Sequence, residues 1–124
     1  MKRSFTKETK ILLDEIVNTL VGNIDVRKIV LFGSYSNGKQ TSDSDIDLFV
    51  LLNTSKKGIE RYAMVSEVLE PRKIPMDLIV KTPAEIRKRK NYFDPFIRNI
   101  EMNGKVLYEK RPDVKKNLSY FHKL

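Results

Sequence analysis

The sequence predicts an α/β or α+β domain with a small mixed sheet flanked by helices. Short apolar runs rich in branched side chains alternate with segments whose apolar residues recur every three or four positions, the patterns of buried strands and of amphipathic helices. At 124 residues the chain has the length of one domain. Its hydrophobic content of 40% and charged content of 32% are those of a soluble globular protein.

The first half of the chain predicts one helix and two strands. Apolar residues at helical spacing between residues 12 and 21 predict the helix, with Thr6 as its N-cap and Gly22 as its C-terminal stop. Continuous apolar runs over 28–32 and 46–52 are typical of buried strands. A turn that begins with Gly-Ser follows the first strand, and we expect a short helix there.

The second half continues the alternation of helices and strands. Thr82 and Glu85 form a capping box with Pro83 at the first helical position, so a helix begins there, and Asp94-Pro95 interrupts it. The remaining predicted elements are a loop over 53–58, a helix over 59–69, a strand over 74–80, a helix over 96–102 and a short strand over 106–108.

The composition excludes several kinds of site. Without cysteine there are no disulfides, zinc-thiolate sites or thiol nucleophiles. A single histidine, His122, argues against a Ser-His-Asp triad or a multi-histidine metal site. No apolar run has the length of a membrane span, and the N-terminus lacks the core of a signal peptide, so we expect a cytoplasmic protein.

The net charge of +8 is unevenly distributed. Residues 1–80 carry 12 Lys/Arg against 11 Asp/Glu, a net of +1, whereas residues 81–124 carry 12 against 5, a net of +7. We expect one domain over residues 1–109, followed by a basic tail or small helix over 110–124. The basic run 87–90 is interpreted as a solvated helix face or a partner surface.

Two carboxylates in the second strand run suggest a metal site. Asp45 and Asp47 are separated by one residue, so in a strand they share a face. Paired carboxylates beside apolar neighbours repel each other and are costly to bury unless a cation lies between them. Mg²⁺ binds through one or two carboxylates together with substrate phosphates. The pattern therefore predicts a phosphate-transfer site.

A third acid and a Gly-Ser pair extend this site. Asp77 lies inside the apolar strand run 74–80 and faces the same metals if the two strands are neighbours. Gly33 and Ser34 end the first strand, where glycine allows a close approach of backbone to phosphate and serine supplies a donor.

Plainer interpretations compete with these. Asp45 and Asp47 could be turn and cap residues, Asp77 could face water on an edge strand, and Ser34 could be a helix N-cap. Asp43 lies in a polar loop and is left out of the metal set. The aromatic residues Tyr92, Phe93 and Phe96 are interpreted as core or partner contacts.

The combination of motifs resembles a known family. Gly33-Ser34, ten residues, Asp45-Ile46-Asp47 and a later lone Asp77 are similar to the nucleotidyltransferase superfamily related to DNA polymerase beta. In length and in the segment 97–108 the chain resembles its minimal nucleotidyltransferases, over roughly residues 10–109. Many members have Ala-Arg-Gly where this chain has Ser36-Asn37-Gly38. If that arginine holds the nucleotide phosphates, Asn37 should hold them more weakly.

The resemblance implies a fold, an activity and a partner. It implies the polymerase beta-like fold, a metal set of Asp45, Asp47 and Asp77 with one or two Mg²⁺, and phosphate binding at Gly33 and Ser34. The implied reaction moves AMP from ATP, or another nucleoside monophosphate, onto a hydroxyl. The implied acceptor is a tyrosine of a helical HEPN-class toxin, which the chain would neutralise as a type VII-like antitoxin. A homo-oligomer is left open.

Two other functions compete with this one. A nucleotidyltransferase-like module could act by partner binding alone, and Asn37 favours that alternative. A nucleic-acid binder could use the basic residues after position 80, but no helix-turn-helix or RNA-binding signature supports it.

Overall fold

The computed structural model describes residues 6–41, 44–90 and 94–111. Its elements, in chain order, are α1 (Lys7–Asn23), β1 (Val26–Phe32), a short 3-10 helix (Gly33–Ser36), β2 (Ile46–Leu52), α2 (Gly58–Val68), β3 (Met76–Lys81), α3 (Pro83–Lys90), α4 (Pro95–Asn103) and β4 (Lys105–Glu109). No helix within these described ranges is long and apolar enough to cross a membrane.

The strands form one sheet in the order β3-β2-β1-β4. Strand β1 pairs antiparallel with both β2 and β4, whereas β2 pairs parallel with β3. The predicted mixed sheet with flanking helices is therefore confirmed. Because β1 ends where β2, β3 and β4 begin, the ends of all four strands meet at one margin of the sheet.

The larger core lies between one face of the sheet and helices α1 and α2. Alternate residues of each strand share a face, so each strand supplies every second side chain. The most deeply buried members are Leu20, Ile29, Leu31, Ile46, Leu48, Val50, Leu52 and Val65. This apolar layer holds β2 in the centre of the sheet.

A smaller core covers the opposite face. Val30 of β1 and Phe49 of β2 pack there against Ile97 and Ile100 of α4. Asp47 precedes Phe49 by two positions, so its side chain belongs to this face as well. The second core therefore determines which side of the sheet carries the candidate site.

Helix α1 begins as predicted but ends later. The Thr6 hydroxyl accepts a hydrogen bond from the backbone N–H of Thr9 at 3.1 Å, which confirms the N-cap. The prediction that Gly22 stops the helix is wrong, because α1 continues to Asn23. Ile24 is the C-cap: its N–H donates to Leu20, and its side chain packs against the larger core.

The starts of two strands differ from the predictions by two residues. Strand β1 begins at Val26, two residues before the predicted start, because Val26 is buried and pairs with Leu52. Strand β3 begins at Met76 rather than at residue 74. Pro75 directly before it has no N–H to donate, although its carbonyl accepts the N–H of Ile46 at 3.0 Å.

The predicted capping box at the start of α3 is confirmed and is joined to α2. The Glu85 carboxylate accepts the Thr82 N–H at 2.9 Å, and the Thr82 hydroxyl accepts the Glu85 N–H at 3.3 Å. Arg61 of α2 donates two hydrogen bonds to the same carboxylate, at 2.7 and 3.1 Å. Burial raises the pKa of Glu85, but the hydrogen bonds from Thr82 and Arg61 lower it by more, so the net shift is downward.

We expect Glu85→Ala to lower the free energy of unfolding by about 1–2 kcal/mol, because it removes both a helix cap and the bidentate ion pair with Arg61. Since the folded pKa lies below the ordinary value of 4.5, this contribution is present above that pH and is lost as the pH falls through the folded pKa. Urea denaturation at pH 7 and pH 3 measures the loss of stability in the variant and the dependence of that loss on pH. Glu67→Ala, at an exposed position of α2, is the control. An equal loss in both variants at pH 7 would contradict this assignment.

The chain after β4 stays close to the sheet for at least one residue. The Lys110 N–H donates to the Arg27 carbonyl at 2.8 Å, and its ammonium group lies 3.3 Å from a carboxylate oxygen of Asp25. The predicted division at residue 109 coincides with the end of β4. Residues 112–124, which include His122, lie outside the described residues, so the tail stays a prediction.

Candidate functional site

Asp47 lies at the centre of the candidate site. It is the second residue of β2, opposite Phe32 in β1 and directly opposite Asp77 in β3. Two carboxylates therefore lie side by side on neighbouring strands, where like charges repel each other. The two strands are adjacent in the sheet, which was the condition for Asp77 to belong to the site. Their pairing brings Asp47 and Asp77 together.

The three acids have different exposures. Asp47 is half-buried, whereas Asp45 and Asp77 are exposed. Burial raises the pKa of Asp47, and the charge and hydrogen bond of Asp77, followed by the charge of Asp45, raise it further. Each of these causes disfavours the charged carboxylate, so a cation bound at this point would relieve an existing electrostatic cost.

Asp45 lies just before the predicted and observed strand, so the expectation that Asp45 and Asp47 share a face of one strand applies directly to Asp47 alone. Strand β2 begins at Ile46, so Asp45 is the last residue of the preceding loop. Asp43 lies outside the described residues. The edge-strand alternative for Asp77 is correct in that the residue is exposed on an outer strand, but the parallel register also places it beside Asp47.

Gly33 packs directly against the Asp47 carboxylate. It has φ +77°, a left-handed conformation that favours glycine. A Cβ atom at this position would overlap Oδ2 of Asp47 and lie 3.0 Å from its Cγ atom. The glycine that was predicted for a close approach to phosphate therefore also makes room for the carboxylate.

The turn after Gly33 is a compact hydrogen-bonded unit. The Ser36 hydroxyl donates to the Gly33 carbonyl at 2.8 Å. The Ser34 carbonyl accepts the N–H groups of Lys39 at 3.0 Å and of Asn37 at 3.3 Å. The Ser34 side chain is half-buried and makes no hydrogen bond within the described part of the chain, so its hydroxyl can serve a ligand.

A cleft of about 520 Å³ opens beside this turn. It is bounded by Phe32 and Gly33 at the end of β1, by the 3-10 helix, and by Asn99 and Asn103 of α4. No motif in the sequence predicts that α4 lies at the site. The pairing of Leu31 with Lys105 brings the end of this helix to the end of β1, and such long-range register has no local signal in the sequence.

The basic and aromatic candidates lie on α3 and α4. Arg87 and Lys88 are exposed, as expected for a solvated helix face. Phe96 is 49% exposed and meets Phe32 edge to face, with ring centroids 6.1 Å apart. It therefore combines a core contact with an exposed surface. Tyr92 and Phe93 lie outside the described residues.

The carboxylates suit a Mg²⁺ ion that substrate phosphates also coordinate, rather than one that protein ligands enclose completely. Within residues 6–41, 44–90 and 94–111, no three acidic or histidine side chains form a ready cation site. Asp47 and Asp77 supply hard oxygen donors, and Asp45 adds negative charge nearby. Mg²⁺ typically takes one or two protein carboxylates and completes its coordination with substrate phosphates and water. The donor set is consistent with that mode, and the three-residue metal set stays a prediction.

Comparisons with known proteins agree on the fold and the family. The family model described as "Nucleotidyltransferase domain" matches residues 11–108. Two proteins of Methanocaldococcus jannaschii, named "Putative protein adenylyltransferase MJ0604" and "Putative protein adenylyltransferase MJ1379", are each 30% identical over 98 residues. Those alignments cover 77% and 79% of this chain, and 94% and 84% of the relatives.

Solved structures show the same fold. A chain of a toxin–antitoxin complex crystallised with AMP-PNP has a TM-score of 0.56 and 26% identity, covering 80% of this chain and 74% of that one. A chain from the complex of a tri-AMPylated HEPN toxin with an MNT antitoxin of Shewanella oneidensis has a TM-score of 0.52 and 23% identity, covering 92% and 87%. The expected nucleotidyltransferase fold is confirmed. With the family model matched from α1 to β4, this chain belongs to the nucleotidyltransferase domain family.

Proposed function

We propose that this chain transfers AMP from ATP to a hydroxyl group of a protein in a Mg²⁺-dependent reaction, and that the acceptor is a tyrosine of a HEPN-class toxin. The observation that carries the proposal is the packing of three groups at one sheet margin. Asp47 lies opposite Asp77, and Gly33 lies directly against the Asp47 carboxylate. A carboxylate pair for a metal thus adjoins a glycine turn for phosphates.

The relatives support the protein acceptor. The M. jannaschii relatives carry the name of putative protein adenylyltransferases, and their alignments cover 77% and 79% of this chain. The complex with AMP-PNP supports an adenine nucleotide as substrate and a toxin as partner. The HEPN class of the partner rests on the resemblance of the Gly33-Ser34 and Asp45-Ile46-Asp47 motifs, and one solved complex of that class shares the fold.

The residues have distinct tasks in this reaction. Gly33 and Ser34 hold the β- and γ-phosphate end of the nucleotide, and Asp45, Asp47 and Asp77 hold the cation. When bound, Mg²⁺ supplies charge neutralisation on the phosphates and lowers the pKa of the attacking hydroxyl. The acceptor oxygen bonds to the α-phosphorus while the bond from that phosphorus to the β-phosphate bridging oxygen breaks and pyrophosphate leaves. Asp77 has two alternative tasks: it completes this cation site, or, as an exposed carboxylate, it accepts the hydroxyl proton.

Isotope labelling with the natural partner tests the proposal. The protein and its HEPN-class partner are incubated with Mg²⁺ and ATP labelled at either the α- or the γ-phosphate. Transfer of AMP puts the α-label, and not the γ-label, on a partner tyrosine, and the tyrosine-to-phenylalanine variant of the partner stays unlabelled. Label on RNA alone, or γ-label on the partner, would refute the acceptor or the reaction.

A binding-only module is the second candidate, and Asn37 favours it. Asn37 occupies the turn position at which the family resemblance implies an arginine in many members, and its own side chain is exposed and neutral. Such a module would bind its partner without nucleotide. Titration of ATP with and without Mg²⁺ separates the candidates, because only the enzyme should show nucleotide affinity that depends on the metal.

A further inference from the structure

The cleft beside Gly33 is lined by neutral polar side chains. Among the described residues its lining comprises Phe32, Gly33, Ser36, Asn37, Asn99, Asn103 and Gly104, none of which is charged. Gly33 borders this cleft and also packs against the Asp47 carboxylate. A ligand that reaches from the carboxylates across Gly33 would therefore enter this cleft with its far end.

Hydrogen bonds engage the side-chain oxygen of two of the amides that line the cleft. The Asn37 side-chain oxygen accepts the Lys39 N–H at 3.1 Å. The Asn99 side-chain oxygen accepts the Asn103 Nδ2 at 2.5 Å. In both residues the carbonyl oxygen is engaged, and no hydrogen bond within the described ranges engages Nδ2 of Asn37 or Asn99. The groups that these two amides leave available to a ligand are therefore donors, which suits the oxygens of an anion.

The α4 donor is held on a rigid support. Ile97 and Ile100 are 5% and 1% exposed in the smaller core, and the Asp94 side chain caps the first turn. At the other end of α4, a Cβ on Gly104 would overlap Val30 and lie 2.6 Å from the Ile100 carbonyl oxygen. Because α4 is packed this closely onto β1, the backbone at Asn99 does not need to be ordered by the ligand, which reduces the entropic cost of binding.

We infer that α4 is part of the nucleotide site, and that Asn99 with Asn37 binds the terminal phosphates of the nucleoside triphosphate. The inference rests on the proposed function for the nucleotide's orientation, since Gly33 and Ser34 then hold the β- and γ-phosphate end. Asn103 acts as a positioning residue, because its Nδ2 donates to the Asn99 oxygen and so leaves Nδ2 of Asn99 as the group available to a ligand.

Calorimetric titration of Asn99→Ala with three probes tests the inference. ATP and inorganic tripolyphosphate, each with Mg²⁺, should bind roughly tenfold more weakly than to the unmodified protein, since one hydrogen bond to a charged group is lost. AMP, which has no terminal phosphates, should bind equally to both. The matched control is Asn18→Ala, because Asn18 lies on α1 at the other face of the sheet and should change none of the three affinities.

Asn103→Ala tests the positioning role. It should weaken tripolyphosphate binding by roughly threefold and leave AMP binding unchanged. The double variant of Asn99 and Asn103 should bind no more weakly than Asn99→Ala alone, because Asn103 acts only through Asn99. Additive losses would overturn the positioning role.

Two results would overturn the inference as a whole. Unchanged tripolyphosphate affinity in Asn99→Ala would remove α4 from the phosphate site, and an equal loss of ATP and AMP affinity would place the nucleoside in the cleft instead. Circular dichroism of each variant excludes misfolding as the cause. Failure of this inference can be told apart from failure of the proposed function. Tripolyphosphate binding is measured without any acceptor, whereas AMP transfer is measured with the unmodified protein and its partner.

Discussion

Asp47→Asn should abolish transfer while leaving the fold intact. The substitution keeps the shape of the side chain but removes the charge that would hold the cation, so we expect kcat to fall on the order of a thousand-fold. The pKa of Asp47 is raised by burial and by the carboxylates of Asp77 and Asp45, so the ionised group is electrostatically disfavoured in the fold. The free energy of unfolding without metal should therefore be unchanged or higher in the variant.

Labelled transfer to the partner and urea denaturation measure the two effects separately. Asp14→Asn is the control, since Asp14 is an exposed acid on α1, paired only with Lys10 at 3.5 Å among the ion pairs of the described residues. It should keep full activity. An Asp47→Asn protein that still transfers label would refute the catalytic assignment, and one that unfolds would show that Asp47 serves stability instead.

Gly33→Ala should lose both activity and stability. The positive φ of Gly33 costs an alanine about 1–2 kcal/mol of stability. The added Cβ also meets the Asp47 carboxylate, which has to move away. Because displacement of a reacting group by about 1 Å can cost roughly a hundred-fold in rate, we expect a loss of transfer of at least that order.

Two other glycines provide matched controls for this substitution. Gly58 also has positive φ, +51°, but nothing lies within 4 Å of a Cβ there, so Gly58→Ala should lose similar stability and keep its activity. Gly22 lies inside α1 with the same open space, and Gly22→Ala should stabilise the protein by about 0.5–1 kcal/mol. Equal activities of the Gly33 and Gly58 variants would show that contact with Asp47 is unimportant for the reaction.

Much of the fold could be predicted because its signals are local. The apolar run of β2 matches the observed strand residue for residue. The caps at Thr6 and Thr82 depend on neighbours three positions away, and both are present. The errors lie at boundaries such as Gly22, where a core contact made by Ile24 outweighs the local preference of glycine for a helix end.

The candidate site could be predicted only in part. Asp47 and Asp77 are predicted site residues because they are acids inside apolar runs, and the parallel register of β2 and β3 makes them neighbours. The sequence did not distinguish the half-buried Asp47 from the exposed Asp45 and Asp77, since burial depends on which elements cover a strand. It also gave no reason to connect Asn99 with the Gly33 turn.

The sequence by itself determined the family, the element types and the residues with chemical potential, because these depend on residue identity and short spacing. Tertiary structure alone decided that Gly33 touches Asp47, that Asp47 faces the α4 side of the sheet, and that Asn99 and Asn37 line one cleft. The physical reason is that these contacts join residues far apart in the chain. Their positions follow from strand register and from burial of two apolar faces, which are properties of the whole sheet.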